Sequence, residues 1–499
     1  MRMSTERIWN HSCQRAERIY PPRWAGEGLR VGNVIVTGAF LFHRTFLRNV
    51  GRTMKTIKGD TRMSEPKETK PAIAGENRTS EQQESKPGME GLSRREFLGV
   101  GSAGLATAAL ASLVVNAQDR TDTEKAEQDH SASSPGPENE PLLDENPNSN
   151  LPPPTDHGNI EPVWYSFDLT HKRVEEGGWT NQVTESVLPS SKDIAGVRMR
   201  LTAGSFRELH WHTADEWAIM LYGNARVTCR NPDGTVFIGD VGKGDLWYFP
   251  AGFPHSIQGL EPDGCEFILV FDQGSFSEDN TFLLSDWVRR TPPAVLSKNF
   301  GLPASALKNL PNKSLYIFPA DLPASLAQDK SAVGGRRVES PYQYTFRMKA
   351  VAPTKQTSSG SVRIVDSHNF LASKNIASAL VTVKPGGMRE LHWHPNASEW
   401  QYYLGGKGRM TVFTTSGAHT MDFNANDVGF VPAVAGHYVE NTGNTDLVFL
   451  EMFEASEYMN FSLNNWLRRL PPEAVTSHLN LDADTISKIP AEALDVLPG

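Results

Sequence analysis

Residues 204–217 read GSFRELHWHTADEW, and residues 386–400 read GGMRELHWHPNASEW. Both stretches carry two histidines one residue apart, with a glutamate four or five residues further on. Working outward, GDLWYFPAGFPHSI (244–257) is answered by NDVGFVPAVAGHYV (426–439), and TFLLSDWVRRTPPAVL by NFSLNNWLRRLPPEAV. His210 and His392 are 182 residues apart, and so are His255 and His437. Trp287 and Trp466 are only 179 apart, so the repeat slips three residues after the last histidine. From about residue 160 onward the chain is two copies of one domain.

Inside each copy, short runs rich in Val, Thr, Phe and Tyr alternate with Gly, Asn, Asp and Pro. ARVTCRNPDGTVFIGDV reads as strand, Asn-Pro-Asp-Gly turn, strand, and GRMTVFTTSGAHTMDF is its counterpart. This spacing predicts an all-β fold in which each copy is a β-sandwich or a jelly-roll barrel, two such domains standing in tandem. The Trp-x-Arg-Arg-x-Pro-Pro segments after each barrel read as short flanking helices packed outside it, against a partner barrel or subunit.

On a strand, His210 and His212 project from one face. With Glu216 and with His255 from a separate strand they offer three imidazole nitrogens and one carboxylate oxygen, a metal-binding donor set. His392, His394, Glu399 and His437 offer the same set again. One His-x-His is weak evidence, since surface and core histidines are commoner, but its recurrence with Glu and a distant His at one offset is strong. A six-coordinate ion held this way keeps two positions open, as catalysis requires.

Formal charge is −9, unevenly spread. Residues 1–117 carry 18 Lys+Arg against 11 Asp+Glu, and the remainder 31 against 47. So acidic a body argues against nucleic acid as a partner. The three cysteines, Cys13, Cys229 and Cys265, lack zinc-site spacing, and the candidate bridge Cys229–Cys265 is left open. Twin arginines in SRREFL (93–98), followed by GVGSAGLATAALASLVVNA, form a twin-arginine export signal over residues 89–117, with cleavage expected before Gln118. The competing reading, a membrane anchor, is disfavoured by the Ala and Gly content, so the mature chain is expected to have no stable span. Residues 1–88 receive no function, and translation is expected to start at Met54, Met63 or Met89. Residues 118–155 are acidic and rich in Pro, Ser and Asn, and are expected to be a disordered linker. The two copies are assigned to 156–335 and 336–499.

The His-x-His, Glu, Gly and Pro-x4-His pattern resembles that of the cupins. The long matches VGKGDLWYFPAGFPHSI, FDQGSFSEDNTF, IASALVTVKPGGMRELHWHPN and EWQYYLGGKGRMTVF resemble the bicupin oxalate decarboxylases, over about residues 150–490. That resemblance implies manganese in both sites, oxalate cleaved to formate and carbon dioxide, dioxygen as catalytic co-substrate, and a homohexamer of two trimers. It also implies roles for Arg207 and Arg389, which would orient a carboxylate, and for Glu278 and Glu451 as acids. Strict strand alternation would set each arginine on the face opposite its neighbouring histidine unless a bend intervenes. Glu278, in the loop SEDNT (277–281), could by composition be an ordinary exposed glutamate. Glu451 sits among Phe449, Leu450, Met452 and Phe453, where burial would raise its pKa. The family's lid usually reads Ser-Glu-Asn-Ser-Thr, so Asp279 and Asn280 depart from it. Trp211 and Trp393 are read as packing residues. The rival functions are an oxalate oxidase producing hydrogen peroxide, and a non-catalytic exported manganese-binding protein.

Overall fold

The computed structural model describes residues 136–333 and 342–499. The readings of residues 1–88 and of the export signal at 89–117 lie outside them. Two barrels of short antiparallel strands bear out the tandem jelly-roll expectation. In the first, the strand Glu216–Arg230 serves both leaves, its first half pairing with Cys265–Phe271 and its second with His255–Gly259. Gly223, at φ 70°, turns the chain between them; a Cβ there would lie 1.9 Å from the Gly264 carbonyl oxygen. In the second barrel the same path is split into Glu399–Gly405 and Gly408–Thr414, with Gly406 at φ 86° between. One apolar core runs unbroken from Val197, Trp217 and Phe267 to Trp400, Tyr402 and Leu450 of the second barrel. Burial on both faces explains why residues 267–271, within the strand Cys265–Phe271, read as a continuous apolar run rather than an alternating one.

The boundary expected at 335/336 divides the copies but not the barrels. Each copy's leading strand crosses over. Trp164–Ser166 pairs with Asp427–Val431 of the second barrel, and Trp164 Nε1 donates to Asp427 Oδ2 at 3.1 Å. Thr345–Phe346 pairs with Leu246–Phe249 of the first. One sheet edge of each barrel is thus covered by the other copy's chain, which removes an open row of backbone donors and acceptors there.

The disordered linker expected through residue 155 also needs correction from residue 136 onward. A helix spans Glu140–Glu145, and Asn146 and Asn148 are buried. Asn148 donates from its backbone and side-chain nitrogens to Asp422 Oδ2 at 3.1 and 2.5 Å, and Asp156 accepts from Thr420. His157–Gly158 then pairs with Gly417–Phe423. The segment has little apolar surface to bury, and instead takes its order from hydrogen bonds to the margin of an existing sheet.

The flanking helices are Leu284–Arg290 with Pro293–Phe300, and Leu463–Arg468 with Pro472–Leu479. Each Pro-Pro starts the second helix of its pair, where a missing N–H costs nothing. Trp287 and Trp466 remain largely exposed on their outer faces. Cys229 and Cys265 are buried and free. Cys229 stands opposite His255, whereas Cys265 stands opposite Gly223, six residues along the same strand, or about 20 Å. Among the described residues no helix is long and apolar enough to cross a membrane.

Candidate metal centres

The strand Phe206–Trp211 delivers His210, and His212 follows at its end. Glu216 opens the next strand, and His255 opens His255–Gly259 directly opposite His210. In the second copy His392 stands opposite His437 in the same way. Each set of four is buried, with one ligand atom per residue lying within 4.8 Å of the others. The eight residues expected as ligands are therefore gathered in two groups, one per barrel.

Their orientation is fixed from behind. Nδ1 of His210, His212 and His255 lies 2.6–2.7 Å from the carbonyl oxygens of Glu208, Ala214 and Phe253. Nδ1 of His392, His394 and His437 meets those of Glu390, Met459 and Ala435. Donation from Nδ1 leaves each Nε2 facing the centre as a lone pair, that of His212 lying 3.2 Å from Glu216 Oε2. Glu216 Oε1 accepts from Trp247 Nε1 at 2.8 Å and Glu399 Oε1 from Gln401 Nε2 at 2.7 Å, so each carboxylate turns Oε2 toward the histidines. The Nε2 atoms of His255, His392, His394 and His437, and Glu399 Oε2, are buried without a hydrogen-bond partner. Convergent orphaned acceptors are costly in an interior and fit a cation.

Protonation agrees. Burial, with the Arg207 and Arg389 charges adding to it, holds His210 and His392 well below the usual imidazole range. Burial opposes ionisation of Glu216 and Glu399, but the surrounding histidines outweigh it and hold both carboxyls well below their ordinary value. Neutral imidazoles around an ionised carboxylate are the state metal binding demands.

The arginines correct the alternation argument. Three residue steps separate Arg207 from His210, but only two separate their strand partners Ile257 and His255. The extra residue is a β-bulge, which buries Arg207 and His210 alike and leaves Leu209 exposed. Arg389 and His392 repeat this against Val439 and His437. Glu208 and Glu390 pin the bulges. Glu208 accepts from the backbone nitrogens of Ser285 and Tyr316 at 2.5 and 2.8 Å, and Glu390 from Asp495 N at 3.1 Å and Ser462 Oγ at 2.9 Å. Sequence reasoning passed over both glutamates, although their recurrence inside R-E-L-H-W-H was the available signal.

Beyond the bulges the two sites differ. Glu278 is buried, not exposed: Arg207 Nη2 donates to its Oε2 at 2.8 Å, and the Tyr316 hydroxyl donates to the same oxygen at 3.0 Å. Arg207 also reaches Thr281 Oγ1 at 2.9 Å, while Arg207 Nη1 and Glu278 Oε1 have no partner. In the second site Glu451 is buried on the strand Leu447–Glu454, with its pKa raised by burial against the opposing pull of Arg389. Arg389 donates to Glu451 at 3.1 Å, to the Tyr458 hydroxyl at 2.8 Å and to Asp495 Oδ1 at 3.3 Å. The carbonyls of Tyr316 and Asp495 accept from Glu208 N and Glu390 N respectively, so these two residues are structural equivalents. Their unlike side chains are why the repeat gave no hint of Tyr316. Trp211 and Trp393 stack on Phe282 and Phe461 at 5.5 and 5.4 Å, outside the sites, as packing residues do.

The cupin family model matches residues 167–307 and 347–487. The chain is 53% identical over 341 residues to oxalate decarboxylase OxdC of Bacillus subtilis, covering 68% of this chain and 88% of that protein. It is 39% identical over 346 residues to a probable oxalate decarboxylase of Arthroderma benhamiae, covering 68% and 84%. A solved structure of a serine-to-alanine mutant of the Bacillus subtilis enzyme superposes with a TM-score of 0.71 at 50% identity, covering 73% of this chain and 96% of the other. Another solved structure of that enzyme accompanies the assignment of the EPR fine-structure parameters of its Mn(II) centres. With two barrels, two His/Glu centres and these relatives, the chain belongs to the cupins, as a bicupin of the oxalate decarboxylase family.

Proposed function

We propose that this protein is a manganese-dependent oxalate decarboxylase whose turnover takes place at the N-terminal centre. The observation that carries the reading is the buried Arg207–Glu278 pair, which leaves Arg207 Nη1 without a partner beside the His/Glu cluster. That nitrogen is a donor free to orient one carboxylate of oxalate and to stabilise charge as the C–C bond breaks. All three Arg389 nitrogens are engaged by Glu451, Tyr458 and Asp495, which favours a supporting role for the C-terminal centre. Manganese, held by His210, His212, Glu216 and His255 and again by the second set, would supply an electrophile and a one-electron couple, with dioxygen as co-substrate. Glu278, within hydrogen-bond distance of Arg207 and Tyr316, is placed to pass on the proton that the one-carbon fragment needs to become formate. Its 3₁₀ turn, Glu278–Asn280, carries Glu278 inward and in this reading serves to close the pocket against water.

The reaction balances as one oxalate monoanion giving one carbon dioxide and one formate. An oxidase would instead pass two electrons from oxalate to dioxygen, taking up a proton and giving two carbon dioxide and one hydrogen peroxide. Incubating metal-analysed protein with oxalate and quantifying both products separates the two. Turnover to formate supports decarboxylation, dominant peroxide supports oxidation, and unchanged oxalate supports a non-catalytic metal-binding protein. The same reading includes a homohexamer of two trimers, joined through the exposed helices bearing Trp287 and Trp466. It also includes twin-arginine export to the periplasm or beyond.

A further inference from the structure

The turn Glu278–Asn280 sends two consecutive carboxylates in opposite directions. Glu278 goes inward onto Arg207, while Asp279 goes outward, where its Oδ1 accepts from Arg173 Nη1 at 2.7 Å. Arg173 is anchored by a second bond, from Nε to Glu175 Oε1 at 2.8 Å, on the hairpin strand Arg173–Glu175. Its guanidinium carbon lies 3.6 Å from the centre of the Tyr316 ring, and that of Arg207 lies 4.3 Å from the same ring. Tyr316 in turn donates to Glu278. Asp279, Arg173, Tyr316, Glu278 and Arg207 therefore form one chain of contacts from surface to site. A cavity of about 320 Å³, bordered by Arg173, Gln182, Glu278, Asp279 and Tyr316, lies on the outer side of this chain.

We propose that Arg173 and Asp279 are a latch that holds the Glu278 turn shut, and are therefore positioning residues for the partition between formate and peroxide. This rests on the decarboxylase reading above. Because Glu278 and Asp279 are neighbours in one 3₁₀ turn, withdrawing Glu278 from Arg207 displaces Asp279 from Arg173 as well. Closure thus rests on an inner pair that is fully buried and an outer pair that salt can reach, with side-chain exposures of 38% for Arg173 and 65% for Asp279. The outer pair is weak in isolation, as exposed pairs are. It biases a turn that must open at every cycle, so a small bias is read directly in the open population. While the turn is open, Glu278 is away from the one-carbon fragment. Dioxygen then takes the two electrons that would otherwise stay in the C–H bond of formate, and the products become carbon dioxide and hydrogen peroxide.

The test uses the manganese-loaded protein and two readouts. Hydrogen exchange over residues 276–283, without oxalate, reports opening of the turn. The peroxide-to-formate ratio with oxalate reports partition. Asp279→Asn is expected to raise both about two- to fivefold, Asp279→Glu to stay near the parent, and about 0.5 M sodium chloride to move the parent toward Asp279→Asn. Combining Asp279→Asn with Arg173→Gln should give less than the sum of the two single changes, because both remove the Arg173–Asp279 contact, while Arg173→Gln also removes those to Glu175 and the Tyr316 ring. Unchanged exchange and partition in Asp279→Asn, with oxalate still consumed, would overturn the latch. Full additivity of the two changes would overturn it too. Absence of oxalate turnover in the parent would instead sink the decarboxylase reading, and hydrogen exchange alone would then decide the latch.

Discussion

Arg207 and His210, three residues apart on one strand, share a buried pocket because their strand holds one residue more than its partner between them. The bulge brings a fixed positive charge to the imidazole cluster, and Glu208 keeps it there by accepting two backbone N–H groups. A donor for substrate and a ligand for metal are thereby set by one local irregularity.

Metal content should follow the two sets independently. We expect two manganese ions per chain, with His255→Ala losing the first-barrel equivalent and His437→Ala the second, as read by elemental analysis. Bare affinity favours copper and zinc over manganese. Active native protein carrying zinc in both sites would overturn the manganese assignment.

The arginine variants should part company. Arg207→Ala is expected to keep its metal and lose about 100-fold or more in turnover, the scale of removing an aimed electrostatic donor. Its stability cost should be small, because the Glu278 turn can swing its carboxylate to water. Arg389→Ala strands Glu451 in the middle of a buried strand and should cost about 3–5 kcal/mol of stability, visible in denaturant unfolding. Equal stability losses would show that the Glu278 turn is as rigid as the strand.

Glu278→Gln removes the proton but keeps the shape. Formate production should largely disappear while peroxide persists or rises, with manganese unchanged. A loss of both products in parallel would mean that the turn only gates entry, and intact formate would move the chemistry to Glu451.

Away from the sites, burial and the nearby Asp193 and Asp272 push the Glu454 carboxyl up to about 7. A raised acid binds its proton more tightly folded than unfolded. Its neutral form therefore favours the fold at low pH, and the advantage is lost as pH rises from about 4.5 to about 7. Glu454→Gln should melt with the parent near pH 4.5 and above it at about pH 8. The gain should be only about 0.5–1 kcal/mol, since the residue is only partly covered, its outer side lies in solvent, and solvent screens it. A difference independent of pH would rule this origin out.

Export should depend on the arginine pair. Changing Arg94 and Arg95 together to lysine is expected to leave the protein in the cytoplasm, as cell fractionation would show. Export that survives the double change would exclude the twin-arginine route.

The repeated R-E-L-H-W-H, together with the Glu and the distant His that recur beyond it at nearly the same offset, carried most of the barrel pair and all eight candidate ligand positions, because residue identity and strand period both repeat in the sequence. What escaped was whatever depends on partners distant in the chain. The bulge is a difference in length between two strands, and neither strand alone records it. Tyr316 has an aspartate as its equivalent, so the repeat hid it. The order of residues 136–155 escaped because composition reports what a segment can bury alone, not which sheet edge it can join. The crossing strands escaped for a similar reason: pairing Trp164–Ser166 with Asp427–Val431 joins residues more than 250 positions apart.

That crossing decides how the gene can be cut. A fragment holding only the first copy would expose the edge at Leu246–Phe249, and would carry Trp164–Ser166 with nothing to lie against. In a single-copy chain the same strand could find its acceptor only in a second molecule, and the pair would come apart on dilution. Joining the copies makes each the permanent neighbour of the other, so an association that once would have depended on protein concentration no longer does.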